Sequence, residues 1–221
     1  MDCNVDIISM SWTIESRTPE SEDMRALYAA IHRAAAQNIL MFCSASDQGG
    51  STEDASYPGE WGPCVKIGGS TVLGDRLTWV NEKNVHFLLP GKRIPFEDPD
   101  GKTFSYESGS SLATACASGL AGALLYCDRI LGRTNELREG NNIKTAFRGL
   151  THGNNQLFPN VQKNFDERFK EYYLKAQANK AKKASSVDIP TLEWNNDTKT
   201  ALSELMSLIK VSVEPVYASQ G

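Results

Sequence analysis

The stretch "SGSSLATACASGLAGALL", residues 108–125, joins a cluster of glycine and serine to a long run of small and apolar residues. The run is apolar or small at every helical position, which predicts a helix over residues 110–131 that is buried on all sides. Ser108, Ser110 and Ser111 lie at or just before the N-terminus of this helix. Unpaired main-chain N–H groups and the helix dipole favour negative charge there. The stretch therefore predicts a candidate reactive serine at the mouth of a core helix.

The segments before this helix read as strands alternating with one helix. Four short apolar runs predict buried strands at residues 5–12, 39–45, 64–70 and 85–91. Ser21 is the expected N-cap of an amphipathic helix over residues 22–37, and a hairpin is possible at residues 77–84. This order predicts an α/β fold, with a mostly parallel sheet and helices on both of its faces.

The character of the chain changes after residue 132, where polar residues become frequent. A short helix is expected at residues 142–149, followed by amphipathic helices at 161–183 and 198–211. We therefore expect a first domain over residues 1–150 and a helical C-terminal extension over residues 151–221.

Composition excludes several classes of function. The 221 residues carry a net charge of −4, so the chain has no overall attraction for nucleic acid or for a membrane surface. No apolar run is expected to reach the length of a membrane span, and the first residues lack the features of a signal peptide. Five cysteines without metal-type spacing predict reduced, mostly buried thiols. An intracellular, cytoplasmic location follows as an expectation.

The block Gly109-Ser110-Ser111-Leu112-Ala113-Thr114 resembles the nucleophile block of the subtilisin-like serine proteases, the subtilase family. The family pattern is Gly-Thr-Ser-Met-Ala-Thr/Ser-Pro-His, so Ser replaces Thr, Leu replaces Met, and Ala115-Cys116 replace Pro-His. Four further segments follow the family's order: "VDIISMSW", "ILMFCSASDQG", "SYPGEWGPCVKIGGS" and "VHFLLPGKRI". The resemblance covers residues 4 to about 150. It implies a subtilisin-like fold that is incomplete at its N-terminus, and a serine endopeptidase acting on polypeptides.

The resemblance assigns roles to particular residues. Ser111 falls on the nucleophile, and Gly109 lets the substrate backbone approach. Asp47 stands where the family has the oxyanion asparagine. An ionised aspartate would repel the oxyanion, whereas a protonated one would donate a hydrogen bond to it. The resemblance also implies two walls of a substrate groove, which in this chain lack the usual glycines: Ser11, Trp12, Thr13 and Ile14 on one side, and Ser44, Ala45 and Ser46 on the other.

The family's Asp and His motifs precede the segment that matches residues 5–12. We therefore expect this chain to correspond to the C-terminal portion of the catalytic domain, with the triad Asp and His outside it and with other domains possible. His32, His86 and His152 have ordinary structural interpretations and are not expected to be the base. No oxygen-ligand cluster predicts a calcium site, and no cofactor is expected.

Two alternative functions stay open. An inactive pseudoprotease or peptide-binding module would keep the groove without the chemistry, and Asp47 and the missing triad members favour it. An α/β-hydrolase esterase would need Gly-x-Ser-x-Gly at a strand-to-helix turn, which Gly109 to Ala113 do not provide.

Overall fold

The computed structural model describes residues 4–15, 20–48, 55–132, 136–153, 155–161, 163, 164 and 203. Ten strands occur in these ranges: β1 (Ile7–Met10), β2 (Ile14–Glu15), β3 (Leu40–Ser44), β4 (Ser56–Tyr57), β5 (Cys64–Ser70), β6 (Phe87–Pro90), β7 (Ile94–Glu97), β8 (Phe104–Glu107), β9 (Thr151–His152) and β10 (Asn155–Pro159). The α-helices of the described residues are α1 (Glu22–Ala35), α2 (Ser110–Ile130) and α3 (Gly140–Gly149). Short 3₁₀ helices lie at Glu82–Asn84 and Glu136–Arg138.

Four of these strands form one parallel sheet in the order β1-β3-β5-β6. The predicted α/β fold with a parallel sheet is thus confirmed, and each of its strands lies within the stretch predicted for it. The hairpin considered at residues 77–84 is wrong. The Asn81 side chain accepts a hydrogen bond from the Lys83 N–H there, which stabilises the start of a 3₁₀ helix rather than a strand.

Helices cover both faces of the sheet because β3 is apolar on both faces. Leu40 and Phe42 face α2 and α3, and the Phe42 ring stacks on Phe147 with 5.9 Å between the ring centroids. Met41 and Cys43 alternate with them and pack in the cluster that contains α1. Helix α1 begins as predicted at Ser21, whose side chain accepts a hydrogen bond from the Met24 N–H.

Helix α2 runs across the sheet and contacts all four of its strands. We expected no segment long and apolar enough to cross a membrane, but α2 meets that test by length and composition. Its packing against the four strands is that of a core helix. Burial on every side is the part of the prediction that is wrong. One face of α2 is exposed, and it carries Ala115, Cys116, Gly119, Ala123 and Tyr126. Exposing a small side chain to water costs little free energy, because its apolar area is small. A run of small residues is therefore compatible with an exposed helix face.

The described cysteines differ in burial. Cys43 and Cys64 are buried free thiols, Cys127 is half-buried and Cys116 is exposed, while Cys3 lies outside the described residues.

The predicted boundary at residue 150 falls just before the antiparallel pair β9–β10. Phe158 of β10 packs with Leu77, Val80 and Leu88 of the main domain. The helices predicted at 161–183 and 198–211 fall almost wholly outside the described residues, so the extension stays a prediction.

Candidate active site

The carboxyl ends of the four parallel strands meet at one edge of the sheet, where ligands bind in open α/β sheets. Ser11 follows the end of β1, Asp47 lies three residues after β3, and Gly91 follows β6. The Gly109 N–H donates to the Gly91 carbonyl at 2.8 Å, which brings the N-terminus of α2 to the same edge. Segments far apart in the sequence therefore surround Ser111.

Ser111 is exposed on the first turn of α2, and its hydroxyl has one acceptor in the described structure. Ser111 Oγ donates to the Ser11 carbonyl oxygen at 3.0 Å, and Ser11 Oγ donates to the Ser111 carbonyl oxygen at 3.0 Å. These two bonds join the nucleophile candidate directly to the first wall of the predicted groove.

Asp47 holds the residue immediately before Ser111. Its Oδ2 accepts from the Ser110 N–H at 2.8 Å, and its Oδ1 accepts from Ser110 Oγ at 2.6 Å. The carboxylate thereby caps α2 from the loop that follows β3, because Gly109 itself provides no side-chain cap. A carboxylate that accepts two hydrogen bonds at a helix N-terminus is stabilised both by them and by the helix dipole. Asp47 thus acts as an acceptor in this state.

Ser110 is a residue whose importance the sequence did not reveal. It is fully buried, and its Oγ also accepts from the Gly69 N–H at 3.1 Å, so it links α2 to β5 as well as to Asp47. A loop serine and a buried serine look alike in a sequence, and only the preceding Gly109 hints at close packing. A Cβ at position 109 would lie 3.2 Å from Asp47 Oδ2, a tight contact that the carboxylate could relieve only by shifting a few tenths of an ångström.

The two predicted walls differ in burial. In the second wall, Ser44 and Ala45 are buried and Ser46 is half-buried. In the first, Ser11 is exposed, Trp12 is 43% exposed and Thr13 is half-buried. Ser46 Oγ donates to Glu15 Oε1 at 2.8 Å, so a side chain just beyond the first wall reaches the second. Glu15 was not predicted as a site residue, because it lies in a polar stretch that read as a loop.

None of the three histidines is placed to activate Ser111. His32 lies exposed on α1 against Tyr28, with 4.1 Å between the ring centroids, and His152 is exposed in β9. His86 precedes β6 and therefore lies at the opposite edge of the sheet. Its Nδ1 accepts from the Lys66 N–H at 2.9 Å, and burial together with neighbouring positive charges lowers its pKa to about 4. A cavity of about 340 Å³ adjoins it, with Glu60 and Lys66 in its lining.

Within the described ranges, no group of three or more His, Cys, Asp or Glu side chains is arranged to hold a metal ion.

Similarity to known proteins identifies the family of this chain. The model of the subtilase family matches residues 1–146. The chain belongs to the subtilase family. An intracellular serine protease of Paenibacillus polymyxa is 32% identical over 119 residues, which make up 52% of this chain and 34% of that protein. This subtilase chain therefore spans about a third of the length of that relative.

Solved structures show the same fold. The patellamide maturation protease PatA superimposes with a TM-score of 0.59 at 21% identity, covering 74% of this chain and 63% of PatA. The prenylagaramide maturation protease PagA gives 0.58 at 21% identity, covering 72% and 60%. The PatG macrocyclase in complex with peptide gives 0.58 at 18% identity, covering 74% and 52%. The chain thus shares the fold of these structures and spans less than two thirds of each of them.

Proposed function

We propose that this chain is part of a serine-type endopeptidase in which Ser111 attacks the carbonyl carbon of a peptide bond. The observation that carries this proposal is the position of Ser111 on the first turn of the core helix, where it is bonded to Ser11 and follows Ser110, which Asp47 holds. Its hydroxyl proton would pass to a base, which would return a proton to the leaving amine as the C–N bond of the substrate breaks and the acyl-enzyme forms. Water would then hydrolyse the acyl-enzyme and restore the Ser111 hydroxyl. The substrate is a polypeptide, and the intracellular name of one relative supports a cytoplasmic location.

The base is proposed to lie on polypeptide beyond these residues. The family's order of Asp, His and Ser supports this, since the described histidines have other surroundings. Without the base, only weak residual catalysis is expected from this chain by itself. The N-terminal portion of the same catalytic domain would then supply the missing Asp and His, and the longer protein could carry other domains as well.

The oxyanion site is proposed to consist of the Ser111 N–H and Asp47. As long as both Asp47 oxygens accept from Ser110, this side chain offers no donor, and the N–H acts without a side-chain partner. Loss of one such donor costs roughly 100- to 1000-fold in rate, a figure measured in subtilisin. A slow enzyme is therefore expected even with its base present.

The alternative function is an inactive pseudoprotease or peptide-binding module. The bonding of Asp47 to Ser110 favours it, because a carboxylate facing the reacting carbonyl opposes the charge that develops in acyl transfer. In that case the groove would bind peptides and release them unchanged.

Labelling with a fluorophosphonate probe tests the proposal. The probe should attach to the intact protein and to the Ser108→Ala control, and should not attach to Ser111→Ala. Sequencing 5′ of the codon for Met1 should reveal in-frame Asp-Ser/Thr-Gly and His-Gly-Thr motifs. If those motifs are missing and Ser111 resists the probe, the endopeptidase is excluded and the binding module is favoured.

A further inference from the structure

Two side chains meet across the groove beside Ser111. Ser46 Oγ donates to Glu15 Oε1 at 2.8 Å. Ser46 directly precedes Asp47, whose carboxylate holds Ser110, and Glu15 lies four residues beyond Ser11. The contact therefore joins the two walls one residue from Asp47 on one side and four residues from Ser11 on the other.

The main chain beneath Glu15 is fixed by strand pairing. In the antiparallel pair β2–β4, Glu15 is directly opposite Ser56, whose side chain is buried. Directly opposed residues of an antiparallel pair project their side chains to the same face. The Glu15 carboxylate and the Ser56 hydroxyl thus lie on one face of a short ribbon, and Ser46 approaches from the second wall.

Two carboxylates flank the groove without a cationic partner among the described residues. In that part of the chain Ser46 is the hydrogen-bond donor to Glu15. Asp47 accepts there from the uncharged N–H and hydroxyl groups of Ser110. A peptide lying between the walls would remove water from both carboxylates, and an anion that loses water without gaining a cation is destabilised. A substrate cation would relieve that cost through charge-assisted hydrogen bonds.

We infer that Glu15 selects substrates with lysine or arginine on the acyl side of the scissile bond. This inference rests on the proposed function, because it places the peptide between the two walls with its carbonyl at Ser111. The ammonium or guanidinium group would bind Glu15 Oε1 and Oε2, with the Ser46 hydroxyl as a further polar contact. Apolar and acidic side chains would leave Glu15 without a partner and are therefore rejected.

Peptide binding to the Ser111→Ala form of the intact protein tests this inference without cleavage. Four fluorescent peptides would differ only at the acyl-side residue, which is Lys, Arg, Leu or Glu. The Lys and Arg peptides should bind at least about tenfold more tightly than the Leu peptide, and the difference should shrink at high salt. Equal binding of all four peptides, or no binding of any, would overturn the inference.

Variants at position 15 provide the matched comparison. Glu15→Gln keeps an oxygen that accepts from Ser46 but removes the charge, so it should abolish the preference for Lys and Arg. Glu15→Lys should reverse it towards the Glu peptide, while Glu97→Gln, on the exposed strand β7, should leave it unchanged. A preference that persists in folded Glu15→Gln contradicts the inference.

The two proposals fail in different ways. If the protein prefers Lys and Arg peptides but Ser111 resists the fluorophosphonate, the proposal of an endopeptidase is rejected and the proposal of a basic-residue binding site is supported. If Ser111 is labelled but no preference for Lys and Arg peptides is found, the endopeptidase is supported and the role of Glu15 is rejected.

Discussion

Ser11 and Ser111, 100 positions apart, exchange hydrogen bonds in which each hydroxyl donates to the other's main-chain carbonyl at 3.0 Å. The hydroxyl of Ser111 is thus bonded to a neutral acceptor, which does not deprotonate it. To act as a nucleophile the hydroxyl must turn from this carbonyl towards a base. The pair therefore describes a resting arrangement of the site and identifies the contact that activation breaks.

Replacing Ser11 separates the two bonds. Ser11→Ala removes the donor to the Ser111 carbonyl, but the acceptor for Ser111 Oγ is main chain and remains. We expect the free energy of unfolding to fall by about 1 kcal/mol or less and fluorophosphonate labelling of Ser111 to persist. Urea unfolding and labelling rates measure both, and a complete loss of labelling in folded protein would show that Ser11 does more than position the helix.

Asp47 is expected to contribute to stability as a cap. Asp47→Ala removes both acceptors of Ser110 and should lower the free energy of unfolding by about 1–2 kcal/mol. Asp47→Asn should cost less, because asparagine is also a good N-cap. Glu20→Gln, an exposed change before α1, serves as the control and should be neutral. Equal stability of the Asp47→Ala protein and the unaltered protein in urea would contradict the capping role.

If the catalytic base is present, Asp47→Asn should also increase the rate of peptide hydrolysis. Its amide can donate to the oxyanion while its oxygen still accepts from the Ser110 N–H. The expected gain is up to about 100- to 1000-fold in kcat. An unchanged kcat would mean that position 47 does not face the oxyanion.

We expect a Gly→Ala substitution to have opposite effects on stability at Gly91 and at Gly119. A Cβ at Gly91 would lie 2.6 Å from the Gly109 carbonyl oxygen, which belongs to the main chain and cannot move without shifting the start of α2. Gly91→Ala should therefore destabilise the fold by about 1–3 kcal/mol and reduce labelling of Ser111. Thermal unfolding and labelling report the two effects.

Gly119 is the matched control for this change. It lies on the exposed face of α2, with nothing within 4 Å of an added Cβ. Gly119→Ala should stabilise the helix by up to about 1 kcal/mol. A stability loss similar to that of Gly91→Ala would show that this face of α2 is covered in solution.

His86 predicts a dependence of stability on pH. Burial, and then the charges of Lys144, Arg148 and Lys66, lower its pKa from 6.5 to about 4 in the folded chain. The unfolded chain therefore binds more protons between these values. The contribution of His86 to stability is complete above pH 6.5 and is lost as the pH falls towards 4. Protonation would also break the hydrogen bond that Nδ1 accepts from Lys66.

The experiment compares unfolding in urea at several pH values between 4 and 7. His86→Gln should flatten the curve over that range, whereas His152→Gln, at an exposed position, should not. If His86→Gln and the unaltered protein lose stability in parallel, His86 is not the group responsible.

The sequence predicted the sheet better than it predicted the contacts around Ser111. Strand β5 was predicted to the residue, since it begins directly after Pro63 and contains the β-branched residues Val65 and Ile67. The exposed face of α2 was missed because alanine and glycine are compatible with either environment. Asp47 and Ser110 are 63 positions apart, and their bond depends on how two loops meet at the sheet edge. Glu15 was missed because the polar residues around it are typical of a loop, whereas it lies in the short strand β2.

Two hydrophobic clusters pack against opposite faces of β3, and their extent determines which substitutions the fold tolerates. They reach the ends of the strands at Met10 and Cys43 and do not include Ser11, Ser46 or Asp47. The groove can therefore gain side chains where relatives have glycine, and exchange an amide for a carboxylate, without disturbing the packing that holds the sheet together. A protein built in this way can lose or alter its chemistry while its scaffold remains intact.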